Sequence, residues 1–144
     1  KLGGLSGTNN TASTFYTAER GTTVYSGRPT TWPGKIALMY PSDYGYATSG
    51  GRTGRDTCLS YNLGSWNSYS DCYNNDWLYT EDSQWTLTPG SSASSFVFYV
   101  NSSGGVYRSV AGYSRGVRPS VYLTSEVRIS GGDGTANNAY TLEV

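Results

Sequence analysis

The sequence predicts an α+β domain that is mostly β, made of antiparallel hairpins with long loops and one or two short helices. Three observations lead there. Clusters of Gly, Ser, Thr and Asn punctuate the whole chain, with 19 glycines in 144 residues, so the stretches between them are too short for long helices. The C-terminal half alternates apolar and polar residues with the period of a half-buried strand. Only 36% of residues are hydrophobic, yet 14 Tyr and 4 Trp supply large side chains that pack along one edge and stay wet on the other. The length suits one unit, and residues 1–144 read as a single domain.

The first element is a short helix over Thr11 to Arg20, with Thr11 or Ser13 as its cap, Phe15 and Ala18 turned inward and Gly21 as its stop. Thr22 to Tyr25 reads as a short β segment. After the turns at 27–29 and 32–34, the apolar run Lys35 to Tyr40 suits a buried strand. Pro41-Ser42-Asp43 ends that strand and offers an N-cap for a helical turn through Tyr44 to Ala47. From Thr48 to Asp76 no period of 2 or 3.6 is sustained, which predicts a long loop. Trp85 to Thr88 alternates before Pro89-Gly90, and Phe96 to Asn101 alternates before the turn Ser102 to Gly105, with Val106 to Ser109 returning as its hairpin partner. Arg115 to Leu123 reads as a further strand, placed by Pro119 at an edge or a bulge. Val127 to Ser130 and Tyr140 to Val144 form a closing hairpin around the turn Gly131 to Gly134.

Cys58 and Cys72 are separated by thirteen residues and are expected to form a disulfide. In the chain-entropy model this loop is stabilised by about 3 kcal/mol, and the bond implies an oxidising compartment. Two separate buried thiols are the alternative. A metal pair is disfavoured because the chain has neither histidine nor a third cysteine.

Charge and composition exclude several functions. Ten basic and ten acidic residues cancel, leaving no field to draw the chain to nucleic acid or an anionic membrane. No run is apolar enough to span a bilayer, and the start at Lys1 suggests a mature piece of a longer exported protein. Without histidine, the serine and cysteine triads cannot be built. Acid–base chemistry would fall to Asp71, Asp76, Glu81 and Asp82, whose spacing does not distinguish a hydrolase pair from solvated loop charges. Gly131-Gly132-Asp133-Gly134 lacks the lysine and following helix of a phosphate loop and reads as a turn, with Asp133 a weak calcium candidate. Trp85, Gly116, Arg118 and Pro119 read as structural, Arg118 lying among apolar residues where it would bond loop carbonyls or a carboxylate. The aromatic residues Tyr61, Trp66, Tyr69, Tyr73, Trp77 and Tyr79, set among Ser and Asn, are of the types that make recognition surfaces. No cofactor is expected.

The order Asp76-Trp77-Leu78-Tyr79, Trp85-Thr86-Leu87-Thr88-Pro89, Phe98-Tyr99-Val100 and Tyr113 to Leu123 resembles the C-terminal globular domains of prepilin-like exported proteins of Gram-positive gut bacteria. Ile36 to Ala47, Gly131 to Gly134 and Tyr140-Thr141-Leu142 extend the resemblance over most of the chain. More distantly, the tryptophan strand, hairpin and Gly-Val-Arg-Pro strand resemble the C-type-lectin-like fold of the formylglycine-generating-enzyme type. The cysteine pair that serves those enzymes has no counterpart near the terminal strand, so their activity does not carry over. The resemblance implies a non-enzymatic display or adhesion domain of a pilin-like cell-surface or filament protein. Its partners would be other copies in a filament, or a glycan or protein on a host or bacterial surface. A lectin-like module, with or without calcium, is the second expectation, and a secreted hydrolase using Asp71, Asp76 and Asp82 the third.

Overall fold

The computed structural model describes residues 1–135 and 137–144. The observed class is α+β. Among the described residues there are seven strands in small antiparallel sheets and five short helical segments, more helices than the sequence suggests. None of the helices is long and apolar enough to cross a membrane.

Helix α1 (Ala12–Glu19) starts where Thr11 Oγ1 accepts a hydrogen bond from Thr14 N–H, and Gly21 N–H closes it on the Ala18 carbonyl. Its buried positions are Ala12, Phe15 and Glu19, one helical stripe that ends, unusually, in a carboxylate. Helix α2 (Pro41–Ala47) begins three residues earlier than the turn at Tyr44 that the sequence suggests. Tyr40 is the cap, and the Asp43 carboxylate reaches back to accept from Tyr40 N–H at 2.8 Å. The two helices touch at Gly45, where an added Cβ would stand 2.7 Å from Ala12 Cβ.

Both helices pack on a three-stranded sheet in the order β2 (Gln84–Pro89), β3 (Phe96–Val100), β4 (Val106–Val110). The expected β3–β4 hairpin forms, with Tyr99 opposite Tyr107 and Val100 opposite Val106. Its turn is held by Asn101, whose Oδ1 accepts from the backbone N–H of Ser103 and Gly105. Phe98, Val100 and Val106 face the helices, and Phe98 meets Phe15 edge-to-face at 5.0 Å. β2 presents Gln84, Thr86 and Thr88 to the interior instead of its apolar residues. Each is satisfied: Gln84 Nε2 donates to the Leu78 carbonyl, Thr86 Oγ1 to the Phe98 carbonyl, and Thr88 Oγ1 to Glu19. Trp85 and Leu87 consequently face outward.

The segment from Thr48 to Asp76 is not a loop. It folds as α3 (Arg55–Ser60), a 3-10 helix (Leu63–Ser68) and α4 (Ser70–Asn74). Each is at most six residues long, too short to show helical periodicity in sequence. The Cys58–Cys72 disulfide joins α3 to α4 with Cα atoms 5.5 Å apart, and both cysteines lie in the core.

Three expected strands are corrected. Thr22 to Tyr25 forms no strand; the Thr23 carbonyl accepts from Gly4 N–H and the Tyr25 carbonyl from Arg28 N–H. The run Lys35 to Tyr40 contributes only β1 (Ala37–Leu38), and Ile36 is 60% exposed, because no second layer covers this edge. Arg115 to Leu123 shortens to β5 (Pro119–Ser120), which pairs with β1 through Leu38 opposite Pro119. Pro119 does lie on an edge strand, where a missing N–H costs no ladder bond. The closing hairpin forms as β6 (Arg128–Gly131) and β7 (Thr141–Glu143), with a register shift between Ile129 and Gly131.

Candidate functional site

The outward turn of Leu87 helps to line an open concavity. Leu87 N–H donates to the Met39 carbonyl, fixing β1 beside β2, and β5 lies on the far side of β1. Leu38, Leu87, Pro119 and Val121 and the aliphatic end of α2 at Ala47 then enclose a cleft of about 580 Å³ with a mainly apolar lining. Trp77 and Tyr122 stand on its rim, 74% and 84% exposed. Asp43 and Arg118 are its charged members. An open apolar cleft with a few polar groups is the common form of a binding site.

Local contacts hold the rim. Arg118 Nη1 donates to the Trp77 carbonyl at 3.4 Å, tying the segment after α4 to β5. This gives Arg118 a loop-carbonyl partner of the kind its sequence context suggests. Tyr40 donates its hydroxyl to the Lys1 carbonyl at 2.6 Å, which brings the amino-terminal residues alongside. Gly116 accepts from Trp85 N–H and donates to the Ser83 carbonyl, positioning the chain that leads into β5. Trp85 itself lies across the outer face of the sheet against Tyr99, with the Arg115 guanidinium 5.0 Å and 3.5 Å from the two rings.

The six aromatic residues expected to form one surface are dispersed. Trp66 is fully buried against Tyr44 at 5.4 Å and belongs to the core, which corrects its assignment as a ligand contact. Tyr61 and Tyr69 stack on each other at 4.0 Å, flanking the 3-10 helix. Tyr73 and Tyr79 meet edge-to-face at 5.0 Å, and Tyr79 is anchored by its hydroxyl to the Ser102 carbonyl. Only Trp77 reaches the cleft. The cleft residues that sequence reasoning misses are Leu87, Val121 and Tyr122. Leu87 lies on β2 and the other two just after β5, and no local spacing signals their meeting.

Among the described residues no hydrogen bond joins one of these carboxylates to another. Asp71 accepts from Thr53 Oγ1 at 3.1 Å, and the Asp82 carbonyl accepts from Thr80. Asp76 is buried; its Oδ1 accepts from Leu78 N–H at 2.8 Å, while Oδ2 has no hydrogen-bond partner. Burial pushes the Asp76 carboxyl up to about 8, against the pull of that amide and of the Arg118 charge. Glu19, outside the candidates named from sequence, is the other buried carboxyl. It accepts from Ser42 N–H, Ser42 Oγ and Thr88 Oγ1, linking α1, α2 and β2, and burial raises it to about 7. Asp133 is exposed and accepts from Thr135 N–H at 3.0 Å, which helps to lower its pKa. Among the described residues no group of three or more His, Cys, Asp or Glu is placed to hold a metal.

No family model, curated protein or solved structure matches the chain.

Proposed function

We propose that this chain is a non-enzymatic display or adhesion domain of an exported, pilin-like bacterial surface protein, and that it engages a polypeptide partner at the cleft beside β5. The observation that carries the reading is the cleft itself: mainly apolar, open to solvent, rimmed by Trp77 and Tyr122, and bordered by β5, which pairs only with β1 among the described residues. An extended segment laid there adds backbone hydrogen bonds to an edge strand while its apolar side chains enter the cleft. The disulfide supports export, since such bonds persist outside the reducing cytosol. The use of Glu19 to join three elements supports a structural role for that carboxyl.

A lectin-like module is the second reading, favoured by the exposed Trp77 and Tyr122 rings with Asp43 and Arg118 beside them. Aromatic faces stack on apolar faces of sugars while charged side chains bond the hydroxyls. Beads carrying the oxidised domain, applied to a glycan array and to surfaces coated with the domain itself, test both. Capture that vanishes in a Trp77→Ser, Tyr122→Ser double variant supports the cleft as the site. Capture on neither surface, or capture untouched by the double variant, overturns it.

A further inference from the structure

The C-terminal hairpin is amphipathic, but the apolar side has no cover. Arg128 pairs with Glu143 and Ile129 with Leu142. Because side chains alternate across a strand, Ile129 and Leu142 share one face, while Arg128 and Glu143 occupy the other, and Val127 and Val144 adjoin the pair just outside the two strands. Ile129 is 61% exposed, Leu142 48% and Val144 96%. A strand pair with one wholly apolar face is the pattern of a sheet packed on something, and a two-stranded hairpin is marginal in water by itself.

We propose that this face docks into the cleft of a second copy of the chain, so that copies associate head to tail. This rests on the reading of the cleft as a polypeptide-binding site and names its occupant. Charge selects the partner. The hairpin and its connections carry Glu126, Asp133 and Glu143 against Arg128 alone. The cleft and the smaller depression adjoining it carry Lys1, Lys35 and Arg118 against Asp43. These are the only two lysines in the chain, and both lie on this side. An acidic apolar hairpin and an apolar cleft flanked by two lysines on one molecule are complementary to each other, whereas two hairpins facing each other would bring like net charges together. Hairpin and cleft are different surfaces, so the contact is heterologous, and each added copy leaves one of each free for the next.

Sedimentation velocity on the oxidised chain over a concentration series reads this out. The wild type is expected to shift from monomer to dimer and larger species as concentration rises, less so in high salt. An Ile129→Glu, Leu142→Glu variant keeps its cleft and is expected to remain monomeric. A Trp77→Ser, Tyr122→Ser variant keeps its hairpin and is also expected to remain monomeric. Mixing the two restores one good hairpin and one good cleft, so the mixture is expected to stop at a one-to-one dimer. All four positions are exposed, and an unchanged far-ultraviolet circular dichroism spectrum with a cooperative melt confirms that the variants fold. A wild type that stays monomeric overturns the proposal. So does self-association that survives the cleft changes. If the monomeric wild type still gives glycan capture dependent on Trp77 and Tyr122, the cleft remains a recognition site and only its occupant is wrong. If it gives none, both inferences fall.

Discussion

Glu19 and Asp76 are where single residues weigh most on stability. Burial raises both carboxyls, to about 7 and about 8, so each binds its proton more tightly in the folded chain than in the unfolded one. A raised acid contributes stability that is full below its unfolded pKa and is lost as pH climbs through the folded value. The fold is therefore expected to weaken between about pH 5 and pH 8, at a rate of at most about 1.4 kcal/mol per pH unit for each group. Thermal melts across that range check the sign, and Asp76→Asn should flatten the Asp76 share. A melting temperature that rises with pH contradicts the assignment. The two tryptophans give a second contrast at this scale. Trp66→Ala should cost about 3–5 kcal/mol through the cavity it leaves, whereas Trp77→Ala, removing an exposed ring, should stay within about 0.5 kcal/mol. Urea denaturation of the two variants separates them. Nothing local to either residue distinguishes these fates. Both sit among Ser, Asn and Asp, and Trp66 is buried only because Tyr44 and Leu63 are brought around it.

Among the elements, those that depend on nearby residues are the ones legible in sequence. α1 is signalled by Thr11 as its cap and Gly21 as its stop, and the β3–β4 hairpin by period-two alternation around Asn101 to Gly105. The helices α3 and α4 and the 3-10 helix between them are not legible, because their stability comes from the disulfide and from burying Cys58, Leu63, Trp66 and Cys72 together. Reduction of Cys58–Cys72 is accordingly expected to lower stability by about 3 kcal/mol. Hydrogen exchange should show the loss of protection beginning at 55–74 while β3 and β4 remain protected. Uniform loss across the chain would mean that the bond supports the sheet as well. The α1–α2 contact supplies another test. Gly45→Ala places a methyl 2.7 Å from Ala12 Cβ and 3.0 Å from Leu63. Overpacking of about 1–3 kcal/mol should exceed the gain in helix propensity of about 1 kcal/mol, leaving the variant destabilised.

For the whole molecule, the central sheet with its helices holds the buried core, and the terminal hairpin lies outside it, with its described side chains mostly exposed. A chain ending after Leu123 should therefore melt within about 3 °C of the full one. A much larger fall would mean that the hairpin is part of the cooperative unit. By itself the sequence determined the α+β class, the cysteine pairing, the first helix, the β3–β4 hairpin and the exclusion of histidine-based chemistry, because these follow from composition and from interactions a few residues long. Only the tertiary structure decided that Trp66 is core, that Leu87 faces outward, and that Trp77, Arg118 and Tyr122 border one cleft. Those placements depend on which strands become neighbours and which face each turns inward, and that is settled by packing the whole chain at once.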